Sequence, residues 1–209
     1  MKQNHSKQII NYLDSLYKNP KCMLDYKNNF ELLVAVVLSA QTTDKKVNLI
    51  TEELFKKYST PLKLSKAKQK DIEKILKPLG LANTKSKNII SLSKDLVSKF
   101  NSKVPNNKKE LMSLKGVGNK TANVVLGECF NEPTFPVDTH INRISKRLKI
   151  ASKSDTVLEV EDKLKKYFPR GKWNRLHHQF IYFGRDICKS QNPNCKICKL
   201  KSICEKACD

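Results

Sequence analysis

Cys188, Cys195, Cys198 and Cys204 are spaced C-x6-C-x2-C-x5-C in a tail crowded with lysine. Four thiolates within 17 residues can surround one metal centre, and so short a tail has little core of its own in which to bury them. Zinc knuckles usually pair two short C-x2-4-C hooks, and here only Cys195 and Cys198 form one. The wide, uneven gaps of six and five residues suit a bulkier object, a cubane iron–sulfur cluster held by four thiolates. Spacing alone leaves zinc open as the second choice. Paired disulfides fit less well, because seven cysteines is an odd number and nothing else points to secretion.

The 209 residues suffice for one large domain or two small ones with a real core. Lys+Arg number 41 against 20 Asp+Glu, a net charge of +21, and the pI is near 9.7. Such a balance is the electrostatic footprint of a nucleic-acid binder, and it predicts binding that weakens with salt. Only five of the cations are arginine, in a chain also rich in Asn and Ile, so part of the lysine load reflects composition rather than a shaped patch. The first residues, MKQNHSKQ, lack the apolar core of a signal peptide, and the longest apolar run, 32–38, is far too short to cross a bilayer. The expectation is a soluble, cytoplasmic protein of a reducing compartment that works as a monomer and has no membrane partner.

Helical periodicity dominates. Ile89, Leu92, Leu96 and Phe100 fall at helical spacing, as do Ile141, Ile144 and Leu148. Residues 30–38 are apolar on all sides and predict a helix buried at the centre of a bundle. Sustained period-2 alternation is absent, so the predicted class is all-α. Breaks fall at Asn19-Pro20, Thr60-Pro61, Gly80, Val104-Pro105 and across 131–136, whose two prolines mark the best boundary between two helical lobes.

A second motif runs from Leu114 through Lys115, Gly116, Val117, Gly118, Asn119 and Lys120 to Thr121 and Ala122. An apolar residue, Gly-x-Gly and a helix-forming run read as a helix–hairpin–helix. Its glycines turn the backbone tightly, and the next helix adds its positive end, a seat for one DNA phosphate. An ordinary helix–helix turn has the same letters. Lys120 falls at the start of that second helix, where the dipole disfavours an ammonium and favours the amine a nucleophile needs; composition alone favours a solvated surface lysine, one of many. Asp138, in the run Val137-Asp138-Thr139-His140, stands where it can cap a helix from about Thr139.

The hairpin with Lys120, the Val137-Asp138-Thr139-His140 run, the four-cysteine tail and the stretch Leu38-Ser39-Ala40-Gln41-Thr42-Thr43-Asp44 together resemble the endonuclease III family. That family comprises bifunctional DNA glycosylases and abasic-site lyases of the helix–hairpin–helix superfamily. The match runs from about Ile9 to Cys204, and the four motifs in this order are highly specific together. The resemblance implies a two-lobed all-α fold with DNA lying in the cleft between lobes. A six-helix barrel would span 22–132, and residues 1–21 and 133–209 would form a lobe around a [4Fe–4S] cluster held by Cys188, Cys195, Cys198 and Cys204.

The implied partner is double-stranded DNA containing oxidised pyrimidines or abasic sites, whose damaged base stacks poorly and is cheap to extrude. By the same resemblance, Leu81 matches the family's wedge into the emptied stack and Gln41 the residue that enters beside it. Gly116, Val117, Gly118 and Lys189 would meet the backbone. Lys120 would attack C1′ to give a Schiff base, β-elimination would nick the strand on the 3′ side, and Asp138 would stabilise the positive sugar or assist proton transfer. Leu81 could instead close a helix end after Gly80, and Gln41 could be a solvated side chain. The chain departs from the family pattern at Lys115, Asn119 and Phe183, which bear on affinity and specificity more than on the reaction. Asn119 is positioned to cap the lysine helix. Cys22 and Cys129 read as core thiols, and His177 and His178 as packing or solvated residues rather than metal ligands. Adenine and thymine mismatch glycosylases both lack a lysine at position 120, and the extra C-terminal domain usual in the adenine enzymes is not expected in a chain that stops at Asp209. A non-catalytic metal-containing DNA-binding or electron-transfer module would not need Lys120 together with Asp138.

Overall fold

The computed structural model describes residues 2–205 and is helical throughout, with no strand among them. Eleven α-helices are present among these residues: α1 Lys2–Leu16, α2 Asn29–Leu38, α3 Asp44–Lys57, α4 Pro61–Ser65, α5 Gln69–Leu76, α6 Ala82–Lys99, α7 Lys108–Ser113, α8 Asn119–Phe130, α9 Thr139–Arg147, α10 Val157–Tyr167 and α11 Trp173–Asp186. None is long and apolar enough to cross a membrane. Contacts divide the chain into two compact units, one of Cys22–Phe130 and one of Met1–Lys21 with Asn131–Asp209. Cys208 lies outside the described residues.

The continuous unit packs around α2. Nine successive residues of α2, Phe30 to Leu38, are buried, which an amphipathic helix cannot do and a helix surrounded by others must. Asn28 starts it by accepting the Glu31 N–H at 3.0 Å, and the Glu31 carboxylate returns to the Lys27 N–H at 2.7 Å. Ile89, Leu92 and Leu96 of α6 are fully buried against this core. Several sequence breaks are helix starts. Thr60 accepts the Lys63 N–H and Pro61 takes the first helical position, where its missing donor costs nothing. Asn107 caps α7 through the Glu110 N–H at 2.9 Å.

The other unit joins the first helix to the last third of the chain. Ile9 and Leu13 of α1 are fully buried with Ile141 and Ile144 of α9, Leu164 of α10 and Phe180 of α11. Phe135, Phe168 and Phe180 meet pairwise with ring centroids 5.9 to 6.1 Å apart. The Tyr12 hydroxyl donates to Ile197 O at 3.1 Å, so α1 also ties down the cysteine-bearing tail.

Candidate DNA-repair site and cysteine pocket

The hairpin between α7 and α8 is built by one backbone-demanding glycine and one ligand-permitting glycine. Gly116 has φ +83°, and a Cβ there would come within 2.9 Å of Asn88 Nδ2, so the fold itself requires glycine. Gly118 has neither constraint; a Cβ would meet nothing within 4 Å. Both glycines are exposed, and neither N–H donates within the described residues. Val117 between them behaves differently: its side chain is buried in the core and its N–H donates to Leu114 O at 3.1 Å. It anchors the hairpin, so the donors turned outward belong to Gly116 and Gly118 alone of the three.

α8 begins directly behind. The Gly118 carbonyl accepts the Ala122 N–H at 2.9 Å, so Gly118 occupies the cap position and Asn119 is already the first helical residue. The expectation that Asn119 caps the helix is corrected by one residue. Lys120 is the second residue of α8 and is exposed, its amine accessible at a positively polarised helix end.

In the same unit two loops present the other candidates. Gln41 (φ 56°) and Leu81 (φ 52°) both adopt the left-handed conformation, which costs a non-glycine residue about 1–2 kcal/mol. Gly80 precedes Leu81 at φ 70° and ψ 161°, a region that is essentially glycine's. Leu81 is 56% exposed, so it does not close a helix end by hydrophobic contact.

The loops are joined underneath. The Thr42 hydroxyl donates to Leu79 O at 2.8 Å, and Lys85 Nζ donates to Thr42 Oγ1 at 3.0 Å and to Leu79 O at 3.1 Å. Lys85 is only 4% exposed and has no carboxylate partner among the described residues. Burial, and then the charge of Lys46, holds its ammonium below the ordinary lysine range.

In the discontinuous unit Asp138 is the N-cap of α9, with Oδ1 accepting the Ile141 N–H at 2.8 Å. Lys120 and Asp138 thus belong to different units. His140, two residues on, packs on Gly184 so closely that a Cβ there would meet its Nδ1 at 2.8 Å. Burial is the main cause holding the His140 imidazolium below its ordinary range, opposed by the Asp138 carboxylate. Among the described residues Lys189 is exposed, its carbonyl taken by Arg147 Nη1 at 2.7 Å.

Cys188, Cys195, Cys198 and Cys204 line one pocket with Arg147, Ile187, Pro193, Asn194 and Lys201. None is in a disulfide. The Cys198 thiol is pushed up first by burial and then by the charges of Cys188, Cys204 and Cys195, so all four share one electrostatic environment. Among the described residues no group of three or more Cys, His, Asp or Glu is arranged to hold a single ion. Four thiols lining one pocket are the donor set that a [4Fe–4S] cluster takes. Cys22 and Cys129 are different thiols, pushed up to about 11 and about 12 chiefly by burial. His177 is buried with Nδ1 at 2.9 Å from Pro136 O, a packing role.

The model of the HhH-GPD superfamily of base excision DNA repair proteins matches residues 34–170. Endonuclease III of Bacillus subtilis (strain 168) is 43% identical over 203 residues, covering 96% of this chain and 93% of the relative. The chain belongs to the endonuclease III family. Among solved structures, a non-covalent endonuclease III–DNA complex superposes with a TM-score of 0.95 at 41% identity, covering 98% of this chain and 96% of that one. A trapped endonuclease III–DNA covalent intermediate superposes with the same score, identity and coverage.

Two features of the chain were hidden in its sequence. One is the Lys85 link, hidden in a lysine-rich helix. The other is a pair of arginines one turn apart on α9. Arg143 Nη2 donates to Gly184 O at 3.0 Å and Cys188 O at 2.8 Å, and Arg147 Nη1 donates to Cys188 Sγ at 3.2 Å. Five arginines among so many lysines, two of them at i and i+4 on one helix, was the available signal.

Proposed function

We propose that the chain is a bifunctional DNA glycosylase and abasic-site lyase of base excision repair. It removes oxidised pyrimidines from double-stranded DNA and nicks the strand 3′ of the vacated site. The observation that carries this reading is Lys120, an exposed amine in the first turn of α8 directly behind the Gly116–Gly118 hairpin. A 41%-identical endonuclease III has been trapped covalently on DNA, which supports an amine nucleophile here.

The hairpin amides of Gly116 and Gly118 hold one backbone phosphate, Lys189 meets another, and Leu81 and Gln41 occupy the stack as the damaged nucleotide is extruded. The neutral Lys120 amine forms a bond to C1′ while the glycosidic C–N bond breaks. The bonding pair leaves with the base, which takes up a proton. Opening of the sugar ring, with the ring oxygen protonated, gives the iminium. Loss of a C2′ proton then drives β-elimination, and the 3′ phosphate oxygen departs with the C3′–O pair. Hydrolysis returns Lys120 free. Asp138, fixed by its cap bond, offers its other carboxylate oxygen to the positive sugar.

Cys188, Cys195, Cys198 and Cys204 would hold a [4Fe–4S] cluster, which would supply a structural cross-link and no chemistry at the sugar; their four bonds to it would fix the loop from Cys188 to Cys195, which carries Lys189. The protein acts as a monomer in the bacterial cytoplasm, associated with the nucleoid through DNA binding. A duplex with a single thymine glycol tests the activity: free base and a 3′ unsaturated aldehyde end are expected together. Free base with an uncut strand overturns the lyase assignment, and neither product overturns the enzyme.

A further inference from the structure

We propose that Lys85 is a positioning residue that holds the Gln41 and Leu81 loops at a fixed separation, so that both side chains enter the DNA stack as one rigid device. The inference rests on the reading that Gln41 and Leu81 insert into DNA. Its observations are independent of that reading. Lys85 Nζ, Thr42 Oγ1 and Leu79 O form a closed triangle with edges of 2.8, 3.0 and 3.1 Å. Thr42 directly follows Gln41, and Leu79 precedes Leu81 by two residues. Each loop therefore has one fixed point next to its strained residue, and the two fixed points are bound to each other.

The chemistry of the link is unusual. A lysine 4% exposed without a carboxylate partner is disfavoured, and a neutral residue of similar length would pack there at lower cost. Its like-charged neighbour Lys46 adds to that cost. What the amine supplies and an apolar residue cannot is two directed donors, one to each loop. Thr42 has one hydrogen, given to Leu79 O, so without Lys85 that hydroxyl is the one side-chain hydrogen bond left between Thr42 and Leu79, beside the packing of Leu79 in the core.

The test uses the full-length, cluster-loaded protein with Lys85→Met, Thr42→Val and Thr42→Ser, and with Leu81→Ala as control. One readout is 2-aminopurine fluorescence opposite a tetrahydrofuran abasic analogue, which rises as the stack is opened. A second is the single-turnover rate on a thymine glycol duplex. A third is β-elimination on a single-stranded abasic oligonucleotide, which has no stack to enter. Lys85→Met and Thr42→Val are expected to lose the fluorescence rise and to slow the duplex reaction about tenfold or more. Thr42→Ser restores both, and single-strand elimination stays at the parent rate. Parent fluorescence and duplex rate in Lys85→Met and Thr42→Val, with Leu81→Ala impaired, overturn the positioning role alone. An equal fall of single-strand elimination in Lys85→Met also overturns it, because the defect is then general. If Leu81→Ala itself leaves fluorescence and duplex rate unchanged, the insertion reading fails and the inference fails with it.

Discussion

Asp138 Oδ1 accepts the Ile141 N–H at 2.8 Å, so the carboxylate assigned to the reaction also starts α9. The two roles separate by substitution. Asp138→Asn keeps a capping oxygen and is expected to melt within a few tenths of a kcal/mol of the parent, whereas Asp138→Ala loses about 1 kcal/mol. Both remove the charge and are expected to slow base release about a hundredfold. Thermal melts beside single-turnover assays check this; a fully active Asp138→Asn would show that the cap alone matters.

The two hairpin glycines predict opposite outcomes for the same substitution. Gly116→Ala places a methyl 2.9 Å from Asn88 Nδ2 on a left-handed backbone, and is expected to cost about 1–3 kcal/mol of stability. Gly118→Ala meets nothing and leaves stability within about 0.5 kcal/mol. It is nevertheless expected to weaken duplex binding about tenfold, because the methyl stands where a phosphate must approach. Denaturant melts and fluorescence anisotropy separate the two effects.

Leu81 is strained and exposed, so removing its side chain need not harm the fold. Leu81→Gly relieves the left-handed conformation and is expected to stabilise by up to about 1 kcal/mol, net of the added flexibility of the unfolded chain. The same variant is expected to lose most thymine glycol excision. A destabilised Leu81→Gly would mean that the side chain serves packing after all.

Asp155 titrates below its ordinary value of 3.8, first because of the Lys163 ammonium at 2.6 Å and then the Ser152 N–H. A lowered carboxylate contributes stability that is present above the ordinary value and lost as pH falls through the folded value. Lys163→Met is therefore expected to be less stable than the parent near neutrality, with the gap closing as pH falls below about 3.8. Melting curves of both proteins from about pH 6 to about pH 3 check the sign, and the parent–variant difference cancels any acid loss common to both.

Local chemistry was legible where one residue type has one dominant use. The stretch 30–38, apolar on all sides apart from Glu31, became a helix buried on every side, and Asp138 before a helical run became a cap. The four cysteines met in one pocket as their density required. What stayed hidden depends on contacts distant in sequence or on conformations the residue type disfavours. Lys85 reaches Thr42 across 43 positions, and nothing in the lysine-rich α6 marks it as the buried one. Leucine avoids positive φ, so Leu81 could be suspected by resemblance but its strain could not be foreseen. The hairpin letters grouped Val117 with its glycine neighbours, and only packing shows that its amide and side chain both point inward.

Borohydride trapping reads the bond between the Lys120 amine and C1′ by reducing it in place. The cluster-loaded protein and Lys120→Ala are incubated with a thymine glycol duplex and an undamaged control in the presence of the reductant. A covalent protein–DNA adduct is expected with the damaged duplex alone, absent from Lys120→Ala, with peptide mapping locating the modified residue at 120. An adduct that persists in Lys120→Ala, or none from a parent protein that still binds the damaged duplex, would contradict it.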